Sequence, residues 1–323
     1  MKLTTSITDN ITLPVRILHD FAEHGLRKTE LCARVDHSVE LFIRRTAPVV
    51  TGPRSSSVRQ IWLLHGAGMD SLGFDIPLPG WSLMENLAQR GHEVFACDYR
   101  GHGRSTRVSD GASVTPLVVR DDVVAAISLL SRGRTRTKDS EEQIDEVHLV
   151  GVSFGSVVAP LVAKRLNGHV GSITLLGAVF ASLGGMTAGF PEFIAALRSS
   201  PGGYAFTTEE EWGEQFLHDA DPRVLRWHEV SYGPAYAYPI GPYLAVASLP
   251  VDSELSTISC PVNIVIGDND PFATVDDMST LLSRVSSDRT RLTIQRGIGH
   301  LPYVEAQAEQ VLSLIEDAVS GTI

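Results

Sequence analysis

Apolar and polar residues alternate in two ways along this chain, and the change of period marks its parts. From Ser38 to Arg45 the apolar positions Val39, Leu41 and Ile43 fall on every second residue, which predicts an edge strand with one covered face. Ile11 to Leu18 is read as an extra strand, while the rest of the first 34 residues carries no clear period. Thr51 to Ser57, Thr-Gly-Pro-Arg-Ser-Ser-Ser, reads as a turn or loop.

Short continuous apolar runs then replace the alternation. Ile61–Leu64, Glu93–Cys97, Val147–Val150, Ile173–Leu176 and Val262–Ile266 read as strands covered on both faces. Between them, Trp81–Gln89, Thr115–Ser131 and Val157–Leu166 have helical spacing, with Pro116 suited to a first turn. Arg291–Gln295 is strand-like and precedes a closing helix. Strands alternating with helices imply parallel βαβ units, hence an α/β fold with a doubly wound, mostly parallel sheet flanked by helices.

Residues 178–250 break this rhythm. They hold 12 of the 22 aromatic residues, three proline-containing turns and no convincing strand. A helical insertion covering the sheet, a cap or lid, is expected there. The division is then a 1–34 N-terminal extension, a first core part over 35–177, the cap over 178–250 and a second core part over 251–323. A length of 323 residues is about twice the ~150-residue domain prior, and one core with a cap accounts for it.

Composition narrows the partners. Apolar residues make up 43% and charged residues 20%, enough to build a full core. Thirty-eight acids against 27 Lys plus Arg give a formal charge of −11, which repels phosphate backbones, so no nucleic-acid partner is expected. No run approaches the ~20 apolar residues of a membrane span, and Met1 to Ser6 lacks the apolar stretch of a signal peptide. Cys32, Cys97 and Cys260 are odd in number and far apart. They read as reduced core thiols of a cytoplasmic protein, with no zinc-type pairing.

The chemistry centres on Gly151-Val152-Ser153-Phe154-Gly155, set between a strand and an apolar helix. A turn this sharp forces the serine to positive φ and lifts its hydroxyl above the sheet at the positive end of a helix. The bland alternative is a tight turn in which Ser153 merely caps the helix. A serine hydroxyl needs a base. His300, in Gly297-Ile298-Gly299-His300-Leu301-Pro302, follows a strand and so shares the sheet edge of Ser153. His65 and His102 share that edge but lie in glycine-bounded turns, and His148 is inside a strand. The base needs a carboxylate to orient it. Asp270, in Gly267-Asp268-Asn269-Asp270-Pro271, is favoured, with Asp268 as the competitor that caps the turn. The order is Ser153, Asp270, His300.

This arrangement resembles the α/β-hydrolase family, over roughly residues 35–177 and 255–320. The resemblance implies an oxyanion hole from the backbone N–H of Ala67, in His65-Gly66-Ala67-Gly68, and of Phe154. It also implies that Asp98-Tyr99-Arg100-Gly101-His102-Gly103-Arg104-Ser105 is a structural turn. Relatives that open epoxides or remove halogens carry aspartate at the elbow, so Ser153 argues against both reactions. No cofactor or metal is expected, since no nucleotide loop and no metal-ligand spacing is present.

The expected activity is a carboxylic ester hydrolase acting on an ester or lactone of a small apolar molecule through an acyl-enzyme on Ser153. The alternatives are a C–C bond hydrolase, a lyase or cyclase on a polyketide-like substrate, or a hydrolase-fold receptor with little turnover. Phe180 and Leu301 are candidate pocket walls. The cap aromatics Trp212, Phe216, Trp227, Tyr232, Tyr236, Tyr238 and Tyr243 fit an apolar substrate group and equally fit the cap's own core.

Overall fold

The apolar runs become the central strands of one nine-stranded sheet. The structure, a computed structural model, describes residues 14–49, 58–131, 146–179, 190–207, 217–246 and 257–323. The strands of this sheet are β1 (Val15–Glu23), β2 (Leu26–Arg34), β3 (Glu40–Pro48), β4 (Gln60–Leu64), β5 (Glu93–Cys97), β6 (Val147–Val152), β7 (Val170–Leu176), β10 (Val262–Gly267) and β11 (Thr290–Gln295). Their spatial order is β1-β2-β3-β5-β4-β6-β7-β10-β11. From β5 to β11 every neighbouring pair is parallel, while β1, β2 and β3 enter as an antiparallel meander joined to β5.

Alternate residues of each central strand feed opposite layers, as a period of two requires. Trp62 and Leu64 of β4 join one apolar cluster, and Ile61 and Leu63 join the other. The first layer is closed by α2 (Pro116–Ser131), α3 (Phe154–Leu166) and α7 (Val275–Arg284), through residues such as Val119, Val158 and Met278. The second is closed by α1 (Leu83–Gln89) and α8 (Ala308–Ser320), through Leu87 and Ile315. Both faces of the parallel region are thus covered, which its continuous apolar runs demand.

Two expectations at the N-terminal end need correction. The strand foreseen at Ser38–Arg45 exists as β3, but it is not an edge: β2 pairs with one side and β5 with the other. Alternation reports which faces are covered and is silent about which backbone edges are paired. The outer strand is β1, whose residues are mostly exposed, Ile17 and Phe21 among them. Its hairpin to β2 turns on His24 and Gly25 at φ 49° and 78°, the left-handed pair of a type I′ turn. The stretch assigned as an extension therefore contains two strands of the main sheet. The first 13 residues, including Ile11 and Thr12 of the expected extra strand, lie outside the described residues.

The excursion between β7 and β10 contains α4 (Phe190–Arg198), α5 (Pro222–Ser231), α6 (Gly241–Val246) and, against expectation, two strands. These are β8 (Tyr204–Phe206) and β9 (Ala237–Pro239), which pair antiparallel. Three residues each, some 30 apart, give no readable period. Helix α7 was also unforeseen; its start is fixed by Thr274, whose side chain accepts the Asp277 N–H. All three cysteines are free, and Cys97 is buried.

Candidate active site

Strand β6 runs into α3 through Ser153, which has φ 51° and ψ −116°. Such a backbone is strained for a residue with a Cβ and persists only where packing dictates it. The packing is visible at the flanking glycines. A Cβ on Gly151 would lie 2.3 Å from the Gly155 carbonyl oxygen, and one on Gly155 would lie 2.0 Å from that of Leu64. Helix α3 is pressed on both β6 and β4, and only hydrogen fits. The Ser153 side chain makes no capping bond to the helix, so the capping alternative does not hold in this structure.

The Ser153 N–H donates to the Leu176 carbonyl at 3.0 Å, tying the elbow to the end of β7. The next residue, Gly177, has φ 52°, and its Cβ position would be 3.0 Å from Nδ1 and 3.2 Å from Cε1 of His300. The end of β7 therefore holds the elbow backbone at Leu176 and meets the imidazole at Gly177. His300 is 2% exposed, and its Nδ1 lies 3.0 and 2.9 Å from the two Asp270 oxygens. Asp270 Oδ1 also accepts the N–H groups of Phe272 and Ala273, at 2.8 and 3.2 Å. Its orientation is thus fixed by the backbone before the histidine arrives. Phe272 presses its ring against the His300 ring, with centroids 4.7 Å apart. The competitor Asp268 is used elsewhere, its Oδ1 accepting the Gly297 N–H at 2.7 Å across the β10 and β11 loops.

The loop after β4 comes against the serine: a Cβ on Gly66 would sit 3.3 Å from Ser153 Cβ. Two buried histidines orient its peptides. His65 accepts the Tyr99 N–H at Nε2, so its proton is on Nδ1, which donates to the Gly66 carbonyl at 2.7 Å. A trans peptide points its N–H opposite its carbonyl, so this bond aims the Ala67 N–H. His102 Nε2 lies 3.0 Å from the Ala67 carbonyl and fixes the next peptide. Burial holds both rings neutral; the His102 pKa is lowered to about 4 and that of His65 is well below its ordinary value. Phe154 opens α3, where helix geometry leaves the N–H without an intrahelical partner. The sequence placed His65 in the Ala67 loop itself and His102 in a structural turn; that their rings hold the Gly66 and Ala67 carbonyls was not legible.

Other groups around the site were also missed. Asp98 is buried and accepts the N–H of Ser71 at 2.9 Å, the Ser71 hydroxyl, and the N–H of Arg104 at 2.7 Å. Burial, reinforced by neighbouring Asp70, pushes its carboxyl up to about 7. Leu301 is buried in the apolar cluster that includes Leu176, Tyr232 and Tyr303. Phe180, Trp212 and Phe216 lie outside the described residues. Among the described residues no group of three or more His, Cys, Asp or Glu is gathered as a metal site would need. Among the same residues no helix is long and apolar enough to cross a membrane.

Comparison with known proteins places this geometry in context. The sequence profile of the α/β hydrolase family matches residues 63–314. A bifunctional esterase/perhydrolase of Acinetobacter calcoaceticus is 28% identical over 187 residues, 58% of this chain and 55% of that protein. A non-heme haloperoxidase of Rhodococcus erythropolis is 27% identical over 182 residues, 56% and 54% of the two chains. The chain thus spans about half the length of the curated relatives it matches. Among solved structures, a malate-bound thermophilic esterase from Thermogutta terrifontis superposes with a TM-score of 0.65 at 19% identity. That superposition covers 88% of this chain and 94% of the esterase.

Proposed function

The chain belongs to the α/β-hydrolase family, and from that premise we propose that it is a serine hydrolase cleaving an ester or lactone of a small apolar molecule. The observation that carries this reading is the strained Ser153, tied by its N–H to the end of β7, where the next residue, Gly177, packs against the buried His300–Asp270 pair. Strain at φ 51° has no structural gain of its own once the side chain caps nothing.

In this reading Ser153 Oγ attacks the substrate carbonyl while His300 Nε2 takes its proton. Asp270 holds the Nδ1–H and stabilises the imidazolium that forms. The tetrahedral oxyanion rests on the N–H groups of Ala67 and Phe154, each worth about 3 kcal/mol of barrier. His300 then protonates the leaving group and activates water to release the acid from Ser153. Residues 178–250 act as the cap, Leu301 and Phe180 as pocket walls, and the protein works in the cytoplasm. The relatives named for esterase activity support the ester part of the reading.

The test is labelling by a fluorophosphonate, run beside hydrolysis of p-nitrophenyl esters of graded chain length and a set of lactones. Ser153→Ala abolishes labelling, and both Ser153→Ala and His300→Ala lower kcat by roughly 10³-fold or more. Folded wild-type protein that takes up no probe refutes the reading in favour of a receptor. Labelling without hydrolysis of any ester or lactone moves the assignment to C–C chemistry.

A further inference from the structure

Two buried carboxylates outside the Ser153 site hold parts of it and parts of the β7–β10 excursion at once. Glu305 is fully buried. Its Oε2 accepts the N–H groups of His218 and Asp219 at 3.0 and 2.9 Å, and both oxygens share the N–H of Gly299 at 3.0 and 2.9 Å. Gly299 immediately precedes His300, whereas His218 and Asp219 belong to the excursion. A second bond, from the Ala306 N–H to the Asp219 carbonyl at 2.8 Å, closes the same contact. Among the described residues no cation pairs with Glu305, and the N–H groups it accepts are those of His218, Asp219 and Gly299.

Asp70 does the same for the other loop. It lies two residues after Gly68 and caps the 3₁₀ turn Ser71–Phe74 by accepting the Leu72 N–H at 2.9 Å. From the excursion, Tyr232 donates to Oδ1 at 3.1 Å and Tyr236 to Oδ2 at 3.3 Å.

We propose that Glu305 and Asp70 are positioning residues that set the His300 loop and the Ala67 loop only while the segment from Leu217 to Tyr236 is docked, so that Ser153 becomes reactive when the cap closes. A buried carboxylate deprived of two of its three donors turns toward whatever donors or water remain. If the segment lifts, Glu305 loses two of its three amides, and Asp70 loses both tyrosine hydroxyls. Each then drags the loop it still holds, Gly299 in one case and the turn after Gly68 in the other. Displacement of an ångström at either loop is enough to lower reactivity about a hundredfold. The coupling runs through the hydrogen bonds of the docked arrangement and so needs no transmission through the sheet.

This inference rests on the Ser153 reading, and the experiment separates the two. Wild type, Ser153→Ala, Glu305→Gln and the double variant Tyr232→Phe/Tyr236→Phe are labelled with a small fluorophosphonate that makes no cap contacts. Both the labelling rate constant and the final labelled fraction are recorded. The expected result is complete labelling of each cap variant at a rate about tenfold or more below wild type. Limited proteolysis within 217–236 is faster in the same variants. A merely structural role lowers the final fraction and leaves the rate constant of the folded part unchanged, and that outcome overturns the proposal. Rates within twofold of wild type overturn it as well. Should Glu305→Gln not fold, the tyrosine variant decides alone, since it removes two hydroxyls and keeps both rings. If wild type takes up no probe, the Ser153 reading fails first and carries this inference with it.

Discussion

Gly177→Ala is the sharpest probe of the site, because it leaves Ser153, Asp270 and His300 untouched. A methyl group at position 177 would lie 2.3 Å from the His300 carbonyl oxygen and 3.0 Å from its Nδ1. Ordinary carbon–oxygen contacts begin near about 3.3 Å, so the His300 backbone must retreat by about 1 Å. The positive φ of 52° adds about 1–2 kcal/mol of backbone strain for any residue with a Cβ. Overpacking a close contact costs about 1–3 kcal/mol more. Stability is then expected to drop by about 2–5 kcal/mol, and kcat by about 10²-fold from the displaced base. Gly168→Ala supplies the control: its φ is 91°, yet nothing lies within 4 Å of the added methyl, so it bears strain alone. Denaturant unfolding and ester turnover are measured on both variants. If Gly177→Ala retains kcat within threefold of wild type, the ring of His300 is not the base that serves Ser153.

The remaining predictions test the carboxylate and the buried charges. Asp270→Asn lowers kcat by about 10⁴-fold through the wrong imidazole tautomer, whereas Asp268→Asn keeps kcat within a few-fold and lowers stability; the reverse pattern in turnover assays would exchange their roles. His148, in β6, is held at about 4 by burial first and then by Arg59 and His92. Its folded pKa lies below the ordinary 6.5, so stability is fully present above pH 6.5 and is lost as pH falls toward 4, when the unfolded chain takes a proton the folded one refuses. In urea titrations the stability gap between wild type and His148→Leu therefore shrinks by about 2–3 kcal/mol from pH 7.5 to pH 4. A gap that stays constant across that range would mean the imidazole is charged inside the fold.

What could be read in advance, and what could not, divides by how far apart the partners are in the chain. Ser153, Asp270 and His300 each stand in a short turn after a strand, and the turn residues announce them. The structure brings His300 to Asp270 and packs Gly177 against His300, next to Leu176, whose carbonyl holds the Ser153 N–H. The parallel strands β4, β5, β6, β7 and β10 were legible because continuous apolar runs need cover on both faces. By contrast, His102 meets the Ala67 carbonyl 35 residues away. Glu305 meets His218 across 87 residues and Asp70 meets Tyr232 across 162. No local period encodes such pairs. Strand β1 was read only in part, through the stretch Ile11 to Leu18, for a different reason: with both faces largely exposed, its apolar residues are under no pressure to alternate.

Gly177 shows how topology itself places a demand on sequence. In parallel sheets all C-terminal strand ends lie on one rim, and here the order β6-β7-β10-β11 sets Ser153 two strands from Asp270. Two strand spacings are about 10 Å, farther than a serine hydroxyl and a carboxylate can meet directly. If His300 is the base that serves Ser153, its imidazole, arriving from β11, spans that interval only by crossing the end of β7. Any side chain there would occupy the path, and the Cβ position of Gly177, at 3.0 and 3.2 Å from two ring atoms of His300, marks where it would strike. With His300 proposed as the bridge, the glycine follows from strand order. A search of the sequence for nucleophiles, bases and acids passes over it, because its contribution is the absence of a side chain.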